Sequence, residues 1–476
     1  MKKILAAVFA VVVTAAWVLP AMAVDTTFYG TYRVRAFSTD NAADYNSKTG
    51  DNNSWVDQRF RLNVDSKASD QLRGFVQLEM GNTGGPNRSH VWGSGAASTD
   101  QNNRINVRQA YLSFNAGPVR VKAGRSVFGD APDGGQSFRV SDDKVYWGLL
   151  DGGLIVVSQV DAFLFAMKPS DQLAIAAGYV KLAETSTGAT PSQNTGATTQ
   201  GDLDHDLYIV EGVFMPSDAL TGAAYLVYDA NRSTVTSTVG EDNPWWLGVG
   251  VDAKQLGPVN LKVHAAYKGG TKTKGCQPGS CGLASTDSAA DLSYAAYALD
   301  ADASMPVGPA TVGVAVGYGS GDNKTDKSST AFSGVAGAYG VQLGVRPAIF
   351  FDSGDVSNGG AVIKTSSANS IDNSTLGNIT FAQLYGIYKA TDDLTLNGLV
   401  AQFQQTETKK DSTEWDATLG TEVDVTAVYK LYKELALVGQ AAWFMPGDGI
   451  LSVKPKPSTA TSDTVSEYFA KVQYDF

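Results

Sequence analysis

Apolar and polar residues alternate with a period of two along most of this chain, and the alternation is cleanest at its two ends. In residues 465–476, VSEYFAKVQYDF, the apolar row is Tyr468, Ala470, Val472, Tyr474 and Phe476, while Glu467, Lys471, Gln473 and Asp475 take the other side. Side chains of a strand point alternately to its two faces, so the stretch predicts a strand with one apolar face. Its tyrosines and final phenylalanine lie near one end, where a lipid-facing strand carries interfacial aromatics. Residues 28–37 repeat the pattern, with Phe28, Gly30, Tyr32, Val34 and Ala36 opposed to Tyr29, Thr31, Arg33, Arg35 and Phe37. The next two segments set Phe60, Leu62 and Val64 against Asp57, Arg59, Arg61, Asn63 and Asp65, then Leu72, Val76, Leu78 and Met80 against Arg73, Gln77 and Glu79. An Arg or Lys facing hydrocarbon at mid-membrane costs about 2–4 kcal/mol, and three consecutive strands avoid that cost.

Reversals punctuate the alternation. Short ones fall at Ser69-Asp70, Gly117-Pro118, Lys168 to Gln172, Met215 to Ala219, Gly257-Pro258, Met305 to Pro309, Ala390 to Asp393 and Tyr432 to Glu434. All but the last carry the Gly, Pro, Ser or Asp that a tight reversal uses. Between them lie longer polar connections near 40–54, 83–103, 129–143, 183–203, 230–244, 269–290, 320–377, 408–416 and 445–464. Eight turns and nine loops join eighteen strands, the layout of an all-β, antiparallel up-and-down transmembrane β-barrel with short periplasmic turns and long outer loops. Residues 337–351 within the seventh loop hold enough apolar sequence for an extra strand pair, and sixteen strands stay open if two of the weaker strands merge. Later strands are blander. Leu261, Val263, Ala265 and Tyr267 alternate with Lys262, His264 and Lys268, and Leu419, Thr421, Val423, Val425, Ala427 and Tyr429 form an outward row against Glu422, Asp424 and Lys430. Around 109–114 and 151–165 the alternation slips, which predicts a bulge or a strand end.

Composition narrows the class. Residues 1–23 have Lys2 and Lys3, an apolar run to Leu19, then Pro20 and Ala21-Met22-Ala23, the order of a secretory signal peptide. Beyond Ala23 no apolar run is long enough for a spanning helix. Residues 24–476 show no proline-rich or charged linker, and 50 glycines with 39 tyrosines and phenylalanines suit one barrel better than several soluble domains. The formal charge of −11 argues against a nucleic-acid partner. Much of that charge sits in stretches expected outside the cell, such as 40–57 and 201–206.

Cys276 and Cys281, in KGCQPGSCG, predict a loop-stapling disulfide in an exported chain. No cofactor or metal site is expected: neither cysteine begins a haem-attachment motif, and Asp202, Asp204 and Asp206 do not complete a calcium loop. His90, His205 and His264 have no acid or serine constellation around them, so catalysis is not expected.

Arginine is unevenly spread. Eleven of thirteen lie between Arg33 and Arg139, and Arg33, Arg35, Arg59, Arg61, Arg73, Arg104, Arg108 and Arg120, with Lys122, fall mostly on the predicted inner face. Neighbouring strands are about 4.8 Å apart, so these side chains would stack as a basic wall over one arc. Such a wall offers successive sites to carboxylates or phosphates. Equally, it would pair with Asp57, Asp65 and Glu79 and brace the barrel, and the two roles can coexist.

The terminal-Phe closing strand resembles that of bacterial outer-membrane porins. The run Gly30-Thr31-Tyr32-Arg33-Val34-Arg35, followed by Asp57-Gln58-Arg59-Phe60-Arg61-Leu62 and Gln77-Leu78-Glu79, resembles the opening of porin-like and alginate-export-type barrels. Leu419 to Asp424, Tyr429, and Phe444-Met445-Pro446-Gly447-Asp448 are similar to the closing hairpin of the alginate-export group. These matches cover roughly a quarter of residues 24–476, as judged by extent alone. The resemblance implies eighteen strands, an arginine-rich pore and an outer-membrane location in a Gram-negative bacterium, in contact with lipid and lipopolysaccharide. It also implies that the third outer loop folds inward, so that Asp130, Asp133, Arg139, Asp142 and Asp143 would line a constriction facing the arginines; an ordinary surface loop is the alternative. Trimers go with sixteen strands in such porins and monomers with eighteen, so a homo-oligomer stays possible. The function expected is passive diffusion of small hydrophilic, anionic solutes. Export of an acidic, alginate-like polysaccharide and a barrel sheathing a partner protein remain as alternatives.

Overall fold

The computed structural model describes residues 24–42, 47, 52–81, 90–91, 104–128, 158–183, 204–232, 239–274, 292–322, 328–335, 345, 347–351, 375–410, 413–414, 416–453 and 463–476. Among them are eighteen long strands. They are β1 (Asp25–Asp40), β2 (Asn53–Ser69), β3 (Leu72–Gly81), β4 (Arg104–Ala116), β5 (Val119–Phe128), β6 (Ser158–Ser170), β7 (Leu173–Ala183), β8 (His205–Ser217) and β9 (Leu220–Asn231). There follow β10 (Val239–Leu256), β11 (Val259–Lys274), β12 (Ala296–Val307), β13 (Ala310–Gly319), β14 (Ile379–Lys389), β15 (Leu394–Gln405), β16 (Thr418–Tyr432), β17 (Leu435–Pro446) and β18 (Val465–Asp475). A single helical turn and a half, α1 (Asp448–Val453), follows β17.

Each strand pairs antiparallel with the next. β18 then pairs with β1, from Thr31 opposite Asp475 to Asp40 opposite Ser466, and the amides of Gly30 and Phe476 exchange hydrogen bonds of 2.8 and 3.0 Å. The closing strand closes the sheet into a cylinder, which leaves no free edge.

Every short reversal expected from sequence is a hairpin turn. Gly117, Gly257 and Gly308 have φ of 63°, 65° and 59°, and each precedes a proline. A glycine at positive φ followed by a proline near its fixed φ matches a type II′ turn, the kind whose twist suits a two-residue hairpin.

The outside of the cylinder is apolar. Phe28, Leu112, Phe163, Val210, Leu247, Val314, Leu384, Val400, Val425 and Tyr468 are 45–63% exposed. On one rim Phe163, Tyr179, Tyr208, Tyr228 and Trp245 are cross-strand neighbours in register, and Tyr208 touches Tyr179 and Tyr228 at ring distances of 5.6 and 6.2 Å. The other rim has Phe476 between Phe60 and Tyr474, at 5.9 and 5.7 Å. Two aromatic girdles bounding an apolar band are what a membrane-spanning barrel presents to lipid. One step beyond the first girdle, Arg125 makes a bidentate pair with Asp161 at 2.9 and 2.8 Å, and Lys181 pairs with Asp204 and Asp206. Charge at that height costs little, about 0–1 kcal/mol near the interface.

The alternation slips for two different reasons. At Arg108 the ladder with β3 shifts, so Arg108 and Gln109 both turn inward as a bulge. In β6 there is no bulge at the slip. Its inner row, Val160, Ala162, Leu164 and Ala166, is as apolar as its outer one, which erases the contrast. A second bulge, at Leu419, buries that side chain completely, so the outward row expected for β16 starts only at Thr421. The apolar run at 337–351 adds no strand pair among the described residues; Ala348 to Phe351 lie inside the barrel as bends and turns.

Candidate functional site: the inner wall

The inner face divides into two arcs. On β1–β5 the inward positions hold Arg33, Arg35, Asp57, Arg59, Arg61, Asn63, Arg73, Gln77, Glu79, Arg108, Gln109, Arg120 and Lys122. Arg33, Arg35, Arg59, Arg61, Arg108, Arg120 and Lys122 are all between 1% and 7% exposed, so this wall is enclosed rather than open to a wide bore. Eight cations and three carboxylates, Asp57, Asp65 and Glu79, belong to this arc among the described residues.

Part of the arc is braced. Arg35 donates to both oxygens of Asp57 at 2.8 and 2.7 Å. Arg61 pairs with Glu79, which also has Arg108 at 3.9 Å, and Arg73 pairs with Asp65. Gln109 donates to Gln77, and Gln77 to Asn63, at 3.1 and 2.7 Å. Lys122 sits over the Tyr111 ring at 4.1 Å, and Arg120 donates to Ser113 and Asn115 at the turn end of β5. Arg33 stands directly opposite Arg59 in the ladder. Like charges directly opposite on neighbouring strands repel, so this pair concentrates positive charge at one height of the wall.

The other arc is apolar. On β6–β13 the inner row includes Leu164, Val180, Leu207, Val213, Val227 and Trp246, each at most 2% exposed. Polar side chains interrupt it, among them Glu211 and Asp229, both buried. Tyr225 Oη lies 2.6 Å from His264 Nε2, with Asp300 3.6 Å from the other ring nitrogen, and Tyr385 donates to Asp302 at 2.8 Å. Residues of the seventh loop cover this side. Lys268 and Trp246 donate to Ser333 at 2.7 and 3.0 Å, beside Phe332, which is 1% exposed.

Further round, the backbone N–H of Ala348 donates to Asp424 at 2.9 Å, and those of Ile349 and Phe350 donate to Glu422 at 2.7 and 2.9 Å. Phe350 stacks on Phe403 with ring centres 3.9 Å apart and lies 5.9 Å from Phe444; Phe351 packs edge-on against Phe381 and Phe403. Gln383 donates to the carbonyl of Val345. The stretch that resembles the alginate-export hairpin, Leu419 to Asp424 with Phe444, thus forms the seat of this loop.

Eight of the nine basic residues singled out from sequence lie on the inner face of the sheet. The side chain of Arg104 lies outside the described residues, as do Asp130, Asp133, Arg139, Asp142 and Asp143 of the third loop, the cysteines Cys276 and Cys281, and residues 1–23. Asp204 and Asp206, weighed for calcium, hold Lys181 and Tyr179 instead. Sequence reading missed the seat at Glu422 and Asp424. Its one signal was an apolar run too rich for a loop.

No protein-family model matches the chain, and no curated protein matches it. Solved structures do. The fold is that of an outer-membrane porin. OccAB1 of Acinetobacter baumannii superposes with a TM-score of 0.53 at 11% identity over 95% of this chain and 96% of that one. OccK8 (OprE) of Pseudomonas aeruginosa gives 0.52 at 14%, over 95% and 98%, and a BenF-like porin of Pseudomonas fluorescens Pf-5 gives 0.51 at 12%, over 95% and 98%. At these identities the porin likeness covers the whole barrel and speaks to fold.

Proposed function

We propose that the protein is an outer-membrane porin that lets small hydrophilic, anionic solutes diffuse down their gradient, without a covalent step. Residues 1–23 would direct its export. A closed barrel with an apolar outside and a charged inner arc is built for passage across a bilayer. The observation that supports the anionic preference is the density of cations on β1–β5, with Arg33 set opposite Arg59 in the ladder. Fixed cations in a low-dielectric wall raise the local concentration of anions and speed their entry. The braced pairs around them hold the wall in shape.

The chain itself covers the apolar part of its inner wall, with Val180 and Leu207 at 0% exposure in the single chain. A sheath for another protein would leave such lining open. Purified protein in a planar bilayer should give discrete current steps, and in liposomes it should admit small anions faster than cations of equal size. A folded barrel that carries no current would end the porin reading, and secretion of an acidic polysaccharide lost on deletion would favour export.

A further inference from the structure

We propose that residues 347–351 form a strap that gates the bore on its β14–β17 side, latched at rest by Glu422 and Asp424; this rests on the porin reading above. Three features of the contact carry it. First, the strap joins no ladder: its described residues are bends and turns, so it can leave the wall without breaking a sheet hydrogen bond. Second, three successive backbone N–H groups, those of Ala348, Ile349 and Phe350, close on two carboxylates two residues apart on one face of β16. Charge-assisted bonds of this kind are strong, yet water in an open bore can replace each of them, so neither state strands a polar group. Third, the seat is an apolar socket. Phe381, Phe403 and Phe444 are at most 2% exposed with Phe350 and Phe351 docked among them, and the rings meet flat or edge-on, as aromatic pairs prefer.

The carboxylates give the latch its direction. Glu422 and Asp424 lie on the same inner face, and Glu467 on β18 is in register with Ala442, the β17 partner of Asp424. Strap amides supply hydrogen-bond donors to that group while the strap is down. Nothing on the outer face of β16 takes part, so the latch can be weakened without touching the lipid-facing surface.

Single-channel recording on the full chain tests the strap, using barrels selected as folded by heat-modifiable migration on gels. The wild type should spend most of its time at a small conductance with rare excursions to a larger one. Glu422→Gln with Asp424→Asn should raise occupancy of the larger level about ten-fold or more, the scale set by losing hydrogen bonds to charged groups. Phe350→Ala should act in the same direction while leaving both carboxyl groups in place. Identical occupancies in all three forms would make the segment a fixed part of the wall and overturn the gate while leaving the porin reading intact. Absence of current in every form would overturn both.

Discussion

On β1–β5 the inward positions carry Arg33, Arg35, Arg59, Arg61, Arg108 and Lys122; on β6–β8 the same geometric positions carry Val160, Leu164, Val180, Leu207 and Val213. The outward rows of the two regions are alike, since both must meet hydrocarbon. One barrel therefore concentrates its cations in the first third and gives much of the remainder to packing, where buried charges such as Glu211 and Asp229 stand among apolar neighbours. Pairing explains how the basic arc holds together. Desolvated guanidiniums need carboxylates or polar neighbours, and Asp57, Asp65 and Glu79 supply carboxylates. The apolar arc instead receives the seventh loop, whose phenylalanines would find no seat among arginines.

Substitutions that strip one arc of what distinguishes it should show this division. A large effect on stability is expected for Asp57→Ala, which removes the bidentate partner of the enclosed Arg35; breaking a buried pair from one side costs about 3–5 kcal/mol. The midpoint of urea unfolding in detergent or liposomes would read it, and a loss no greater than that at an exposed pair would mean that the arc is hydrated throughout. Phe403→Ala in the opposite arc should cost about 3–5 kcal/mol through the cavity it leaves, again by urea unfolding, while anion preference stays as it was. A changed ion preference would show that the two arcs are not separable. The smallest effect is expected outside, where Arg125 and Asp161 are 49% and 54% exposed. Arg125→Ala should shift stability by no more than about 1 kcal/mol, the usual worth of an exposed ion pair.

How much of this the chain reveals by itself follows the same division. All eight turns were legible, because Gly-Pro and Ser-Asp reversals are chosen by local backbone geometry and need no distant partner. The inner rows of β1, β2 and β3 were legible too, since charge opposite apolar residues makes the period of two obvious. β6 was not, because an apolar inner wall against an apolar outer one leaves nothing to alternate. The seat of the strap was hidden for another reason. Ala348 and Asp424 are 76 residues apart, and the run holding Ile349, Phe350 and Phe351 has the composition of a membrane strand although it packs inside the barrel. A purely periodic reading assigns such a run to lipid.

The reversal potential across a bilayer separating unequal potassium chloride concentrations tests the central claim most directly, for the wild type and for Arg33→Gln with Arg59→Gln. The wild type should be anion-selective, and the double substitution should reduce that preference while the channel stays open. A wild type that prefers cations, or a preference indifferent to those two guanidiniums, would contradict it.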